Sequence, residues 1–465
     1  MKRTIVIFIQ LAVINVCASA QTFITPNIDG WNLRYQVIDS VSVQLVNNID
    51  PDSKENYASI SCDTLRVPET VTWEGKSYNV NSIHREALTG CQHIRYVFLP
   101  NNITDIVGKD AVYKLKGWDC SVEGYIVNDN HPTLHTKDGV IYDKDMSKLL
   151  VYPSNKKDSI FIMPESVETI TTFSMLQAYN LRYLETSLNL VTVEYIAIDA
   201  NVDTVIFKDN LRELQIEGLI MNPGIKKIVF GNKVEKILSS IFIYSPRTVE
   251  IRTYIPPTVN FHASGGATPD MEYSSQCVLR VPRKSLTAYQ QAEGWNEFGT
   301  IVPIEPPIVT GVDTASVSWV QNFSATGYMW TLYTDEAKTQ RFMSLTFDAN
   351  GHLTHIDINP DHVPARMPAL YSEDGEEEKR FAEYYSFTIS GLSPETRYYY
   401  TRQSMNGMEV IDEETGSFET LSSDVQGIEE NNSIYPAPKK IIENGQVFIR
   451  SSKERYTLNG NGIKE

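Results

Sequence analysis

A repeating apolar pattern constrains the fold of this 465-residue chain more than any other feature. The template Ile94-x-x-Val97-x-Leu99 returns at later positions, where its middle residue advances by 23, 21, 23 and 23 residues through Phe161, Leu184, Val205, Ile228 and Ile251. Leu65 and Leu279 extend the series at looser spacing. A unit this short cannot bury its own apolar face, so neighbouring units must stack into one continuous core. The pattern therefore predicts a mainly β solenoid.

A second apolar pair follows the first in register, as Ile103-x-x-Ile106, Val167-x-x-Ile170 and Val234-x-x-Ile237. The repeat length falls in the range of leucine-rich repeats. We therefore predict a leucine-rich-repeat solenoid over residues 60–304, preceded by a strand or cap region at 21–59.

The jump between Val97 and Phe161 indicates an insertion. Val140-Ile-Tyr142 and Leu149-Leu-Val-Tyr-Pro153 flank a polar stretch, which is the pattern of two strands around a turn. We expect a β-hairpin over residues 138–153 that projects from the solenoid.

Three segments together resemble BspA-like leucine-rich-repeat proteins. They are Leu65-Arg-Val-Pro-Glu-Thr-Val with Ala87-Leu-Thr-Gly-Cys91, the hairpin from Asp138 to Pro153, and Cys277-Val-Leu-Arg-Val-Pro with Gly294-Trp295. Between Thr172 and Asn260 the usual Ala-Phe and Cys-x-x-Leu positions are largely lost. The resemblance implies an exported surface protein that binds host matrix proteins or other cells.

The pattern changes to strand alternation after the proline-rich boundary Pro303-Ile-Glu-Pro-Pro307. Asp348-Ala-Asn-Gly351 reads as a hairpin turn, because Asn-Gly tolerates positive φ. Gly391-Leu-Ser-Pro-Glu-Thr-Arg-Tyr398 resembles the tyrosine corner of fibronectin type III modules, and Trp319 suits their core tryptophan. We predict an antiparallel β-sandwich of this kind over residues 306–422, with the acidic segment 359–384 as a solvated loop.

The two ends of the chain carry separate signals. Residues 1–20 read as a signal peptide cleaved after Ala20, or with Cys17 as a lipidation site. Residues 423–440 have linker composition. Residues 441–465 contain two short alternating runs that fit either a C-terminal sorting signal or a terminal β-hairpin. We therefore expect an exported protein, at the cell surface or extracellular, that engages outer-membrane export machinery if the tail is a sorting signal.

The net charge and the absence of catalytic motifs exclude several classes of function. The net charge of −17 without a basic stripe argues against nucleic-acid binding. The sequence contains no His-Glu-x-x-His, Gly-x-Ser-x-Gly or Walker motif, and it indicates no cofactor and no metal site. We expect surface or packing roles for the histidines, His131 among them. Cys62, Cys91, Cys120 and Cys277 allow three disulfide pairings, and Cys91 is expected to be buried.

Outward strand positions are the remaining candidates. In Ile94-Arg-Tyr-Val-Phe-Leu99 the core set leaves Tyr96 and Phe98 on the opposite face, where they either anchor a partner or are covered by a flanking loop. The function predicted first is adhesion to, or binding of, an extracellular protein or glycan through the solenoid. The alternatives are a non-catalytic component of the cell envelope and, more remotely, a glycan-acting enzyme.

Overall fold

The computed structural model describes residues 21–27, 29–48, 57, 63–106, 114–116, 120–214, 225–237, 247–259, 277–360 and 384–423, together with four short strands beyond residue 438. The predicted signal peptide, Cys17, Cys62 and the acidic loop centred on residues 361–383 lie outside these ranges. The prediction of a mainly β fold is confirmed. Among the described residues, no helix is long and apolar enough to cross a membrane.

The N-terminal sheet joins strands from both sides of the boundary predicted at residue 60. Its order is β1-β2-β3-β6-β5, with β1 at Thr22–Pro26, β2 at Asn32–Val37, β3 at Ser42–Val46, β5 at Thr70–Trp73 and β6 at Lys76–Ile83. A two-residue turn with positive φ at Glu74 and Gly75 reverses the chain into β6. The first sheet therefore runs to Ile83 and contains strands from both sides of residue 60.

A short parallel sheet follows. It consists of β4 (Thr64–Arg66), β7 (Tyr96–Leu99) and β8 (Gly124–Val127), in which Leu65 lies opposite Val97 and Val97 opposite Tyr125. These three residues are buried in one core with the N-terminal sheet. The template strand of the sequence pattern thus stacks on its neighbours with its predicted face inward.

The segment of the predicted hairpin, residues 138–153, contains antiparallel strands that are buried on both faces. Strands β9 (Leu134–Lys137), β10 (Val140–Asp143) and β11 (Lys148–Val151) are antiparallel, and β11 pairs in parallel with β13 (Thr169–Ile170), which pairs with β15 (Thr192–Val193). Val140 and Tyr142 enter one core, whereas Ile141 and Val151 enter the other. The continuous apolar runs arise because both faces of the hairpin are buried.

Seven parallel strands form what we call the repeat stack, residues 160–303. In order they are β12 (Ile160–Ile162), β14 (Tyr183–Glu185), β16 (Thr204–Phe207), β18 (Lys227–Phe230), β20 (Thr248–Ile251), β22 (Val278–Val281) and β23 (Thr300–Pro303). The predicted alignment holds from Phe161 to Ile228, but Ile228 lies opposite Val249 and not Ile251. Val249 and Ile251 both point inward, and a two-residue slip leaves the same face buried.

The second edge of the stack carries the shorter strands β17 (Glu213–Leu214), β19 (Lys236–Ile237) and β21 (Thr258–Val259). After β22, a 3₁₀ turn (Arg283–Ser285), helix α1 (Leu286–Gln291) and a second 3₁₀ turn (Trp295–Glu297) pack against the core. The Trp295 indole donates a hydrogen bond to the Pro257 carbonyl at 2.8 Å, and its ring meets that of Tyr289 edge-on at 5.5 Å. These two side chains cover the last repeats.

Two antiparallel sheets follow, which we call the sandwich. One has the order β24-β25-β29, the other β28-β27-β26-β30-β31, and both contribute to one core around Trp319 and Trp330. The strands are β24 (Val309–Thr310), β25 (Thr314–Val320), β26 (Gly327–Tyr333), β27 (Arg341–Asp348), β28 (Leu353–Ile358), β29 (Tyr384–Ser390), β30 (Arg397–Asn406) and β31 (Glu409–Glu419).

Two local predictions inside the sandwich are present in the structure. Gly351 has a φ of +76° in the turn that joins β27 to β28. The Tyr398 hydroxyl accepts a hydrogen bond from the Ser393 backbone N–H at 2.9 Å, which is the contact expected of a tyrosine corner.

The C-terminal tail contains β32 (Lys439–Glu443), β33 (Gln446–Arg450), β34 (Arg455–Thr457) and β35 (Gly462–Ile463), in an antiparallel four-stranded order. The two runs noted in the sequence are β33 and β34, which pair with each other. β32 begins inside the segment predicted as a linker.

Candidate functional site

A polar site builds up from the outward face of the repeat stack. Alternate residues of each strand point away from the core, and parallel pairing places equivalent residues side by side, one strand spacing apart. Ile160, Tyr183, Thr204 and Lys227 form one such row, and Glu185, Ile206, Val229 and Glu250 form the next. The sheet thus presents two ordered rows of side chains to its surroundings.

The sandwich docks on this same face. Asp209, in the turn after β16, accepts hydrogen bonds from the Ser324 backbone N–H at 2.7 Å and from its hydroxyl at 2.9 Å. Arg252, just after β20, donates to the Gln321 carbonyl at 3.0 Å and lies 4.3 Å from the centre of the Phe323 ring. The loop 321–325 is therefore held by two repeats at once. We call this contact region the joint.

A second set of contacts extends the joint. The Arg402 guanidinium donates to the Tyr254 hydroxyl at 2.9 Å and to Asp412 and Glu414 at 3.0 Å each. The Lys284 ammonium lies over the Tyr254 ring at 3.6 Å. Burial would lower the pKa of Arg402, but Tyr254 and the two carboxylates raise it above its usual value. Arg402 therefore remains charged inside the joint.

A groove of about 490 Å³ opens where the loop overhangs the stack. Its floor carries the two rows already described except for Glu250, together with Lys208 and Arg252, and its wall comes from the sandwich. The wall residues are Gln321, Asn322, Phe323, Ala325, Ala349 and Asn350. We call it the junction groove, because both parts of the molecule are needed to form it.

Ionic side chains of the groove floor are paired. Lys208 lies 2.9 Å from Glu185 and 3.0 Å from Glu165. Burial would lower the pKa of Lys208, but the two carboxylates raise it above its usual value. The Tyr183 hydroxyl donates to Glu185 at 3.1 Å, so its ring leans along the strand and over the sheet. These contacts fix donors and acceptors in place before any ligand arrives.

A buried ion pair supports the groove from the side of the joint. Glu250 is fully buried, and it accepts from Arg252 at 2.8 Å and lies 3.1 Å from Lys227. Burial alone would raise the pKa of Glu250, but Arg252 and Lys227 hold it below its usual value. The carboxylate therefore stays ionised and orients the guanidinium toward the loop 321–325.

The residues predicted from sequence, Tyr96 and Phe98, lie outside the junction groove. Both point outward from β7 and are half-buried. The Tyr96 ring packs beside Gly124, and the Arg95 guanidinium lies 5.7 Å from its centre. Phe98 instead lines a separate cleft of about 660 Å³ together with Arg66 and Pro100. The two rings therefore face different neighbours.

Other candidate side chains take structural roles. Cys91, Cys120 and Cys277 are buried free thiols, and burial raises the pKa of Cys277 to about 12. His131 is fully buried, and its Nδ1 accepts the Leu134 backbone N–H at 3.0 Å. Among the described residues, no cluster of histidine, cysteine or acidic side chains has the arrangement of a metal site.

The groove residues could have been found in part from sequence. The repeat template assigns the core positions, and strand alternation from them is a signal that Tyr183, Glu185 and Lys227 point outward. Nothing in the pattern indicated that the loop 321–325 would close over them, since no periodicity connects the two segments.

Comparison with known proteins finds matches only among solved structures. No protein-family model matches the chain, and no curated protein matches it. Similar solved structures include the pneumococcal vaccine antigen PcpA, with 13% identity, a TM-score of 0.29 and coverage of 61% of this chain and 99% of that one. A leucine-rich cell surface protein from Faecalibacterium prausnitzii A2-165 has 10% identity, a TM-score of 0.22 and coverage of 56% and 99%.

A leucine-rich-repeat protein from Bacteroides ovatus ATCC 8483 has 12% identity, a TM-score of 0.21 and coverage of 59% of this chain and 98% of that one. The structural neighbours of this chain are thus leucine-rich-repeat and surface proteins.

Proposed function

We propose that this protein is an exported, non-catalytic binding protein of the cell surface or extracellular space, and that it engages an extracellular macromolecule. The observation that carries the proposal is the junction groove, whose floor of ordered side chains is framed by a second structural part. Ligand sites favour such concave places between domains, where walls and floor come from different parts of the chain.

The interpretation of the repeat stack as a leucine-rich-repeat solenoid and of the sandwich as a fibronectin type III-like module belongs to this proposal. In that interpretation the stack provides an extended face, and the sandwich closes one end of it. The Phe98 cleft and the nearby Tyr96 ring offer a further contact area on the N-terminal side. The signal peptide at 1–20 and the tail at 441–465 would supply export.

Exposure at the surface is tested by treating intact cells with protease and identifying the released peptides by mass spectrometry. We expect peptides from residues 21–423 in the released fraction, while a periplasmic marker protein stays intact. Recovery of these peptides only after lysis would contradict the proposed location.

Binding is tested with the full mature chain immobilised and exposed to extracts of mucus, serum and extracellular matrix. Thr204→Trp is the informative variant, because its indole would occupy the groove floor without entering the core. We expect specific retention by the wild-type chain and loss of retention by this variant. Equal retention by both would remove the groove from the proposal, and stable assembly with envelope components alone would favour a structural role.

A further inference from the structure

The groove chemistry narrows the class of partner, and this step rests on the proposed function. We propose that the junction groove binds a neutral oligosaccharide. Three properties of the groove lead to this ligand class: balanced charge, unused hydrogen-bonding capacity, and ring and apolar faces beside it.

The charge of the floor is compensated. Lys208 is neutralised by Glu165 and Glu185, while Lys227 and Arg252 share Glu250. An anionic ligand would have to displace a carboxylate from these cations, and the whole chain carries a net charge of −17. Sulfated or sialylated glycans are therefore disfavoured, and so is a cationic peptide that would compete for the same carboxylates.

The hydrogen-bonding groups keep capacity for a ligand. An ammonium has three donors, and Lys208 uses two of them on carboxylates; a carboxylate has about four acceptor positions, of which Glu185 uses two. A free donor and free acceptors thus lie side by side, with the amides of Gln321 and Asn350 opposite. Adjacent sugar hydroxyls, each both donor and acceptor, match this arrangement.

Ring faces and apolar side chains complete the match. Tyr183 leans along the sheet, and Phe323 forms part of the wall with one side against the Arg252 guanidinium. Ile160 is exposed at the open end of the groove. The C–H face of a sugar ring packs on such surfaces while its hydroxyls reach the polar groups.

An extended peptide suits the floor less well. Peptides that add to a sheet need an unpaired strand edge for their backbone. Strands β14, β16 and β18 beneath the groove are each paired on both sides, and only β12, which contributes Ile160 at one end of the floor, is an edge strand of the described sheet. Over β14, β16 and β18 the floor therefore offers side chains, and no strand edge, to a ligand.

The test uses the full mature chain on an array of immobilised neutral, sialylated and sulfated oligosaccharides. We expect binding to neutral oligosaccharides, reduced about tenfold or more in affinity by Tyr183→Ala and by Glu185→Gln. Tyr179→Ala is the matched control, since Tyr179 is a tyrosine 50% exposed on the stack but outside the groove, and it should bind like wild type.

Each outcome decides the proposal. Binding restricted to sulfated or sialylated probes would overturn the charge argument, and neutral binding unaffected by both groove variants would overturn the site. Retention of an extract component that Thr204→Trp abolishes, without any neutral glycan binding, would overturn the ligand class and leave the proposed function standing. Thermal unfolding of each variant shows that a loss of binding is not a loss of fold.

Discussion

Lys116 is a buried lysine whose charge lowers the stability of the folded protein at neutral pH. Its side chain is almost fully buried, and its ammonium donates to the Leu176 carbonyl. Burial lowers the pKa of Lys116 to about 7, with Asp199 opposing the shift. A lysine in an unfolded chain has a pKa of about 10.4. At a pH between these two pKa values, Lys116 is protonated in the unfolded chain and deprotonated in the folded one.

We therefore expect Lys116→Met to be more stable relative to the wild type at neutral pH than at pH 10, by a few kcal/mol, because each unit of pKa shift corresponds to about 1.4 kcal/mol. Stability of the wild type rises with pH through this titration, so the advantage of the variant should shrink from about pH 7 to about pH 10. Denaturant unfolding at the two pH values measures it. Lys114→Met, which removes a pair with Asp105 nearer the surface, is the control, and an advantage independent of pH would contradict the explanation.

A second residue whose contribution to stability can be tested is Tyr398. Its buried hydroxyl accepts the Ser393 N–H, so Tyr398→Phe leaves that donor without its partner while the ring stays packed. We expect a loss of about 1–3 kcal/mol in the free energy of unfolding. Tyr333→Phe, on a half-buried tyrosine of β26, should change stability far less; similar losses in both variants would show that the corner contact is unimportant.

Among the elements, the turn after β16 depends on a close backbone approach. A Cβ placed on Gly231 would lie 2.7 Å from the Asp209 Cα and 2.8 Å from its backbone nitrogen. Only glycine lets this turn pack against the next one and aim the Asp209 carboxylate at Ser324.

Gly231→Ala should therefore displace the Asp209 turn and cost about 1–3 kcal/mol, as overpacking does elsewhere. Hydrogen exchange should increase in residues 209–210 and 321–325 together, because the turn holds that loop. Asn210→Ala changes the neighbouring residue of the same turn and serves as the control. Faster exchange in the turn alone would mean that Asp209 does not hold the loop.

Sequence periodicity predicted the strand positions well and their exact pairing less well. The inward set through Phe161, Leu184, Val205 and Ile228 was correct, because alternation identifies the buried face. Val249 and Ile251 satisfy that alternation equally, so the last pairing was wrong by two residues. The segment predicted as a projecting hairpin, residues 138–153, packs on both faces, in keeping with its continuous apolar runs.

At the scale of the whole molecule, the joint couples the stack to the sandwich through a buried charge. Arg252 is 5% exposed and Glu250 is fully buried, whereas the pair Arg212–Glu235 on the same stack is exposed, at 64% and 58% of its side chains. No sequence pattern predicted the contact between Arg252 and Gln321. The two residues lie about seventy positions apart, in segments with different periodicities.

These two pairs allow a matched comparison. Arg252→Ala leaves Glu250 buried with only Lys227 and should cost about 3–5 kcal/mol, whereas Arg212→Ala should cost about 0–1 kcal/mol. Denaturant unfolding measures both. Small-angle X-ray scattering should show a larger radius of gyration for Arg252→Ala only, as the sandwich leaves the stack; an unchanged radius would mean that the remaining contacts hold the joint.

The two anchors of the joint also limit how such a chain can vary over evolution. Asp209 follows β16 and Arg252 follows β20, and both hold the same short loop. A duplicated or deleted repeat between them would move one anchor relative to the other by about 4.8 Å, one strand spacing, and the loop could then reach only one of them. Repeats gained or lost before β14 would leave both anchors in place. The number of repeats can therefore vary on the N-terminal side of the stack, whereas the number of repeats between the two anchors must stay constant.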